Sequence, residues 1–242
     1  MSRQLARLAV LGGALMLGAC ADKPPVPDWQ VNAFGSVQRA SDAYLSGRSR
    51  VADQEWRAAR SEAARTGRPD VLAKVELNRC AAQAASAEVL DCPAFEALRA
   101  DVQPAELLAY ADYLAGRGLT AQQVALLPEA QRKAATNVGA IAEIADPLSL
   151  LVASGAALRA GRATPETLVK AGDVASAQGW SRALLGWLSL RAERARTLGD
   201  EALEASIKRR MALVRTQGQP VQAGDMKGDG SAKNEKAPEK RP

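Results

Sequence analysis

Val51-Ala52-Asp53-Gln54-Glu55-Trp56-Arg57-Ala58-Ala59-Arg60-Ser61-Glu62-Ala63-Ala64-Arg65 is the stretch from which the architecture is read. Ala52, Trp56, Ala59 and Ala63 recur at i, i+4, i+7 and i+11, so they share one helical face. Arg57, Arg60 and Glu62 fall off that face. The same period continues outward. Leu107, Tyr110, Ala111 and Leu114 form a face within 104–115, and Leu184, Trp187, Leu188 and Ala195 form one within 181–197. Start and stop signals agree with it. Thr120 and Gln123 fit a capping box. Asp146-Pro147 and Thr164-Pro165 place a capping side chain before a first-turn proline. Gly47, Gly67, Gly116, Gly161 and Gly199 follow periodic stretches and suit helix ends, where a left-handed residue is wanted. Nothing reads as a strand. The expectation is an all-α chain of about nine helices in antiparallel pairs.

Composition narrows the function classes. The chain has 242 residues, 32 Lys+Arg, 27 Asp+Glu, three Cys and no His. Apolar residues make up 47% but aromatics only 4%, and roughly one residue in five is Ala. A sandwich or barrel would need more β-branched and aromatic residues. Wholesale disorder would need fewer apolar ones. The absence of His excludes a Ser-His-Asp triad, a His-ligated metal and imidazole acid–base chemistry. No Gly-x-Ser-x-Gly elbow, phosphate-binding glycine loop or Ser-x-x-Lys motif occurs. Glu96, Glu106, Glu129, Glu143 and Glu166 are scattered and read as exposed or first-turn helix acids. The expectation is no catalytic residue, no metal and no cofactor.

The N-terminus carries an address. Arg3 and Arg7 precede an uncharged apolar run, Leu8 to Leu17. That run is shorter than the about 20 residues that cross a bilayer and has the layout of a secretory leader. It ends in Leu17-Gly18-Ala19-Cys20. This resembles the lipobox of bacterial lipoproteins. The resemblance implies diacylation of the Cys20 thiol, cleavage between Ala19 and Cys20, and acylation of the new amino group. Several acyl chains make such attachment durable, at about 0.8 kcal/mol per buried methylene. In the family, an Asp after the Cys marks inner-membrane retention. Ala21 therefore implies a lipid-anchored, periplasm-facing protein of the outer membrane. The expected organisation is a leader over 1–19, lipidated Cys20 and a Pro-rich tether over 20–29, a helical domain over 30–215 and a disordered polar tail over 216–242. Loss of Arg3 and Arg7 leaves 30 basic against 27 acidic side chains, a net +3. That is no concentrated basic stripe, so nucleic acid is not an expected partner.

Ala43-Tyr44-Leu45-Ser46-Gly47-Arg48, Asp112-Tyr113-Leu114-Ala115-Gly116-Arg117 and Ala157-Leu158-Arg159-Ala160-Gly161-Arg162 share a helix end followed by Gly-Arg. The first two lie 69 residues apart, close to twice the tetratricopeptide period of about 34. Ala52-x3-Trp56-x2-Ala59 also resembles the small-x3-aromatic-x2-Ala pattern of that family. The resemblance implies a helical-repeat solenoid with a concave protein-binding face; an irregular helical bundle is the alternative. The implied function is non-enzymatic scaffolding of another envelope protein in assembly or secretion. A lytic-transglycosylase-like enzyme using one Glu, or a small-ligand binder, are the alternatives.

Two cysteines remain in an oxidising compartment. A Cys80–Cys92 bond would close a 13-residue loop and contribute about 3 kcal/mol. Trp56 and Trp187 lie on apolar faces and read as core. Trp29 follows the tether and reads as packing the start of the domain. Trp180, after Gly179 at a helix joint, is the candidate for partner contact. Arg57, Arg60, Arg182, Arg191, Arg194 and Arg196 read as solvated rows interspersed with Glu. The lipobox reading makes the first prediction. Cys20→Ser should abolish incorporation of labelled fatty acid and release the chain from membranes; unchanged labelling and fractionation would refute it.

Overall fold

In a computed structural model of the protein, which describes residues 25–88 and 91–217, every regular element is helical. The order is α1 (Asp28–Leu45), α2 (Ser49–Ala64), α3 (Pro69–Ala85), α4 (Pro93–Glu96), a 3₁₀ turn η1 (Arg99–Asp101), α5 (Ala105–Leu114), α6 (Ala121–Leu126), α7 (Glu129–Thr136), η2 (Val138–Glu143), α8 (Pro147–Arg159), α9 (Pro165–Ala177), α10 (Ser181–Thr197) and α11 (Glu201–Arg215). The leader, Cys20, residues 21–24 of the tether and nearly all of the polar tail lie outside the described residues. Eight of the described α-helices have ten or more residues. The interval 93–143 is cut shorter than the periodicity suggested, and prolines do the cutting. Pro93 opens α4, Pro104 precedes α5, and Pro128 holds Leu127 extended and so ends α6.

The local signals are realised. α2 buries Ala52, Trp56, Ala59 and Ala63 and no other residue. Thr120 and Gln123 close their capping box, and Thr164 closes one with Thr167. Asp146 accepts the Ser149 amide at 2.7 Å. The five glycines expected at helix ends all have positive φ. The Gly-Arg repeat has a local cause. At each copy the Arg amide bonds back to the carbonyl five residues earlier: Arg48 to Ala43 (2.7 Å), Arg117 to Asp112 (2.9 Å) and Arg162 to Ala157 (2.8 Å). This is the Schellman helix end, and Trp180 and Asp200 close the same bond after other helices. Ala87 closes α3 in the same way with φ of 60°, a position that carries a methyl group where the other ends carry glycine.

Helices pack as consecutive antiparallel pairs: α1 with α2, and α9 with α10 and α10 with α11. Yet α3 also packs along α8, and α1 reaches α10. A one-dimensional stack joins only neighbours. The chain adds to its consecutive pairs these contacts between helices distant in sequence; the all-helical arrangement fits a bundle or a repeat.

α3 is the common wall. Val75 and Ala82 face a small core of Ala40, Ala43, Ala52, Trp56, Ala59 and Ala63 from α1 and α2. Ala73, Leu77, Cys80, Ala81, Ala84 and Ala85 face the large core that holds Phe95, Leu150, Leu151, Trp187 and Leu188. A helix buried on two faces cannot show one apolar stripe.

Its C-terminal end is buried as well, which exposes the carbonyl problem of every helix end. Trp187 Nε1 donates to Ala85 O at 2.9 Å, and both groups are buried. Two glycines let neighbouring backbones touch the adjacent carbonyls. A Cβ at Gly155 of α8 would stand 2.1 Å from Ala84 O, and one at Gly186 of α10 would stand 2.2 Å from Ser86 O. The α1 end is closed against α10 similarly. Ser181 Oγ donates to Ser46 O at 2.8 Å, and Arg182 Nε donates to Tyr44 O at 2.8 Å while its guanidinium lies 4.3 Å from the Tyr44 ring centroid.

The consequence is measurable. Gly155→Ala should lower stability by about 1–3 kcal/mol, the cost of overpacking, seen as an earlier denaturant midpoint. A wild-type midpoint would show that α8 does not press on the α3 terminus.

Candidate functional site

α1 and α3 run side by side with their C-terminal ends together, because Tyr44 Oη donates to Glu88 Oε1 at 2.5 Å just beyond α3. Burial, and then this hydrogen bond to the Glu88 carboxylate, pushes the Tyr44 phenol well above its ordinary value, so it remains a donor. The two helices leave a cleft of about 560 Å³ between them. Ala33, Phe34, Val37 and Ser41 line it from α1, and Val71, Lys74, Val75 and Asn78 from α3. These residues recur at helical spacing, so each helix offers one continuous face to the opening. Trp29 stands at one end of α1, while Leu148 and Trp180 come from α8 and the start of α10. Gln30, Gln38 and Asp42 on one side, with Arg68, Lys74 and Asn78 on the other, give the cleft polar edges.

The sequence-expected residues distribute as follows. Trp180 is half-buried in the cleft wall, and its Nε1 donates to Asp42 Oδ1 at 3.3 Å. It is therefore a held wall residue rather than a freely exposed one. Trp56 and Trp187 are core. Trp29 does more than pack the start of the domain: it lines the cleft. Phe34, 63% exposed, belongs to the same cleft and was missed because its neighbours Gln30, Gln38 and Asn32 hide any apolar run. Glu96, Glu106, Glu129 and Glu166 sit in the first turns of α4, α5, α7 and α9, and Glu143 closes η2.

One carboxylate has no sequence signal. Glu76 of α3 is 2% exposed, and its Oε1 lies 2.6 Å from Arg60 Nη1. Burial pushes its carboxyl up, against the pull of the Arg60 and Arg79 guanidinium groups. It does not line the cleft. Among the described residues no group of three or more His, Cys, Asp or Glu side chains is placed to hold a metal ion, and no helix is long and apolar enough to cross a membrane.

Cys80 on α3 and Cys92 before α4 come to disulfide-bonding distance, with Cα atoms 5.9 Å apart. They are not part of the cleft; they lie on α3 and at the start of α4. No protein-family model, curated protein or solved structure matches the chain. The cysteine geometry supplies a test. Alkylation of the unreduced mature protein should find no free thiol at Cys80 or Cys92, and Cys80→Ser with Cys92→Ser should cost about 3 kcal/mol. Two alkylated thiols would refute the bond.

Proposed function

We propose that the chain is a lipid-anchored, periplasm-facing lipoprotein of the outer membrane. Its helical domain acts as a non-enzymatic scaffold that holds another envelope protein during assembly or secretion. The partner element is an amphipathic helix, received in the cleft between α1 and α3. The observation that carries this reading is the cleft itself: a groove of about 560 Å³ along two parallel helix faces, lined by apolar side chains with polar ones at its edges. Such grooves take helices whose apolar residues recur at i, i+3, i+4 and i+7. Trp29 and Trp180 supply the large, rigid anchors on which interface energy concentrates. Lys74 stands exposed at the α3 edge, which favours an acidic side chain on the incoming helix.

The alternative of a cell-wall-cleaving enzyme calls for a carboxyl with raised proton affinity in an open cleft. Glu76 has the raised affinity, but it is enclosed between α2 and α3 with Arg60. The small-ligand alternative calls for polar groups that converge, and the polar side chains here stand apart on opposite edges.

A photo-crosslinking residue at Asn78 in intact cells should yield one dominant protein adduct. Lys74→Glu should reduce that adduct by about tenfold, the effect of about 1.4 kcal/mol. No adduct, or the same adducts from a probe at Leu198, would overturn the reading.

A further inference from the structure

Val26, Val31 and Phe34 are 57%, 56% and 63% exposed and fall within nine residues of the chain. The other exposed large apolar side chains among the described residues, Val51, Leu126, Val169, Leu198, Leu203 and Leu213, are spread over four helices and a turn. Single exposed apolar residues need no explanation, whereas a cluster marks a contact surface. Val31 and Phe34 are neighbours on α1 at i and i+3, and Val26 precedes the helix by two residues. Half-buried Trp29 lies between them. The patch therefore combines aliphatic, phenyl and indole groups at the first two turns of a helix, the set that settles at a membrane–water boundary.

Its place in the chain says what covers it. Val26 lies six positions after Cys20, and at about 3.3–3.6 Å per residue that stretch spans at most about 22 Å. If Cys20 carries acyl chains, the patch is the first part of the folded domain to meet the bilayer. Arg65 and Arg68, in the α2–α3 turn at the same end of the cleft, are already ion-paired to Glu62 and Asp70 at 3.0 and 2.7 Å. Charge is thus largely balanced there, and apolar insertion carries the contact.

We propose that the start of α1 and the residues just before it, through Val26, Val31 and Phe34, lie on the surface of the bilayer that holds the lipid anchor. The contact orients the domain so that the mouth of the α1–α3 cleft, at Trp29, sits beside the membrane. The inference rests on the lipid-anchor reading; Val26 and Val31 lie outside the cleft, while Phe34 lines it as well.

The test uses the mature acylated protein in vesicles of phosphatidylethanolamine and phosphatidylglycerol. Environment-sensitive fluorophores are attached through Val31→Cys, Phe34→Cys and, as a control, Leu198→Cys. Labels at 31 and 34 should be quenched by lipid-borne nitroxides at least tenfold more strongly than the label at 198, in low and high salt alike. Val26→Asp with Val31→Asp should abolish the quenching at 34 while leaving the Asn78 crosslink in place. Equal quenching at all three sites in vesicle-bound protein would overturn the docking and leave the anchor standing. Shielding of 31 and 34 without vesicles, rising with protein concentration, would assign the patch to a second copy and overturn the proposal. A mature chain without acyl groups would overturn the anchor and the proposal together.

Discussion

The buried C-terminal end of α3 is the constraint that the rest of the fold answers to. A helix end leaves carbonyl groups without partners, and burying them is costly unless something reaches them. Trp187 reaches Ala85, while Gly155 and Gly186 bring two other helices against Ala84 and Ser86. α8 and α10 are thereby fixed on one helix terminus, although they lie far from it in sequence. The α1–α2 layer then adds to the other face of α3, and the Tyr44–Arg182 contact joins that layer to α10.

Alanine makes this arrangement possible. A methyl group buries little surface of its own, but it lets helix axes approach closely. Among its fully buried residues the small core has one large side chain, Trp56, beside Ala and Val75, with Val37, Tyr44, Val71 and Leu72 packed on it half-buried, and the Trp56 indole nitrogen finds no partner there. In this small core stability comes from many short contacts, whereas the large core adds Phe95, Trp187 and a set of leucines. The interior consequently tolerates little change of size at its closest approaches.

The helices themselves were legible because their signals are local. The Ala52–Ala63 face, the caps at Thr120, Asp146 and Thr164, and the glycine ends depend on residues within one or two turns. The Gly-Arg similarity was equally local, since each copy is a helix end closed by its own backbone. The pairing of α3 with α8 had no local trace. Gly155 looks like a flaw in a helix until Ala84 O is seen beside it. The cleft was half legible. Trp180 stood out as an aromatic at a joint, but Phe34 and Trp29 join it only through the side-by-side course of α1 and α3. Glu76 was hidden for a related reason, since its partner Arg60 comes from another helix.

The latch between residues 44–49 and 180–182 also governs how the molecule would bear tension. Pulling on the chain at Pro25 draws along α1, whose far end is held at Tyr44, Ser46 and Ser49 by Ser181 and Arg182. That strain passes into α10 and, through Trp187, to the terminus of α3. Tension on the helical pair at the start of the domain is thus shared with α10 for as long as these bonds hold.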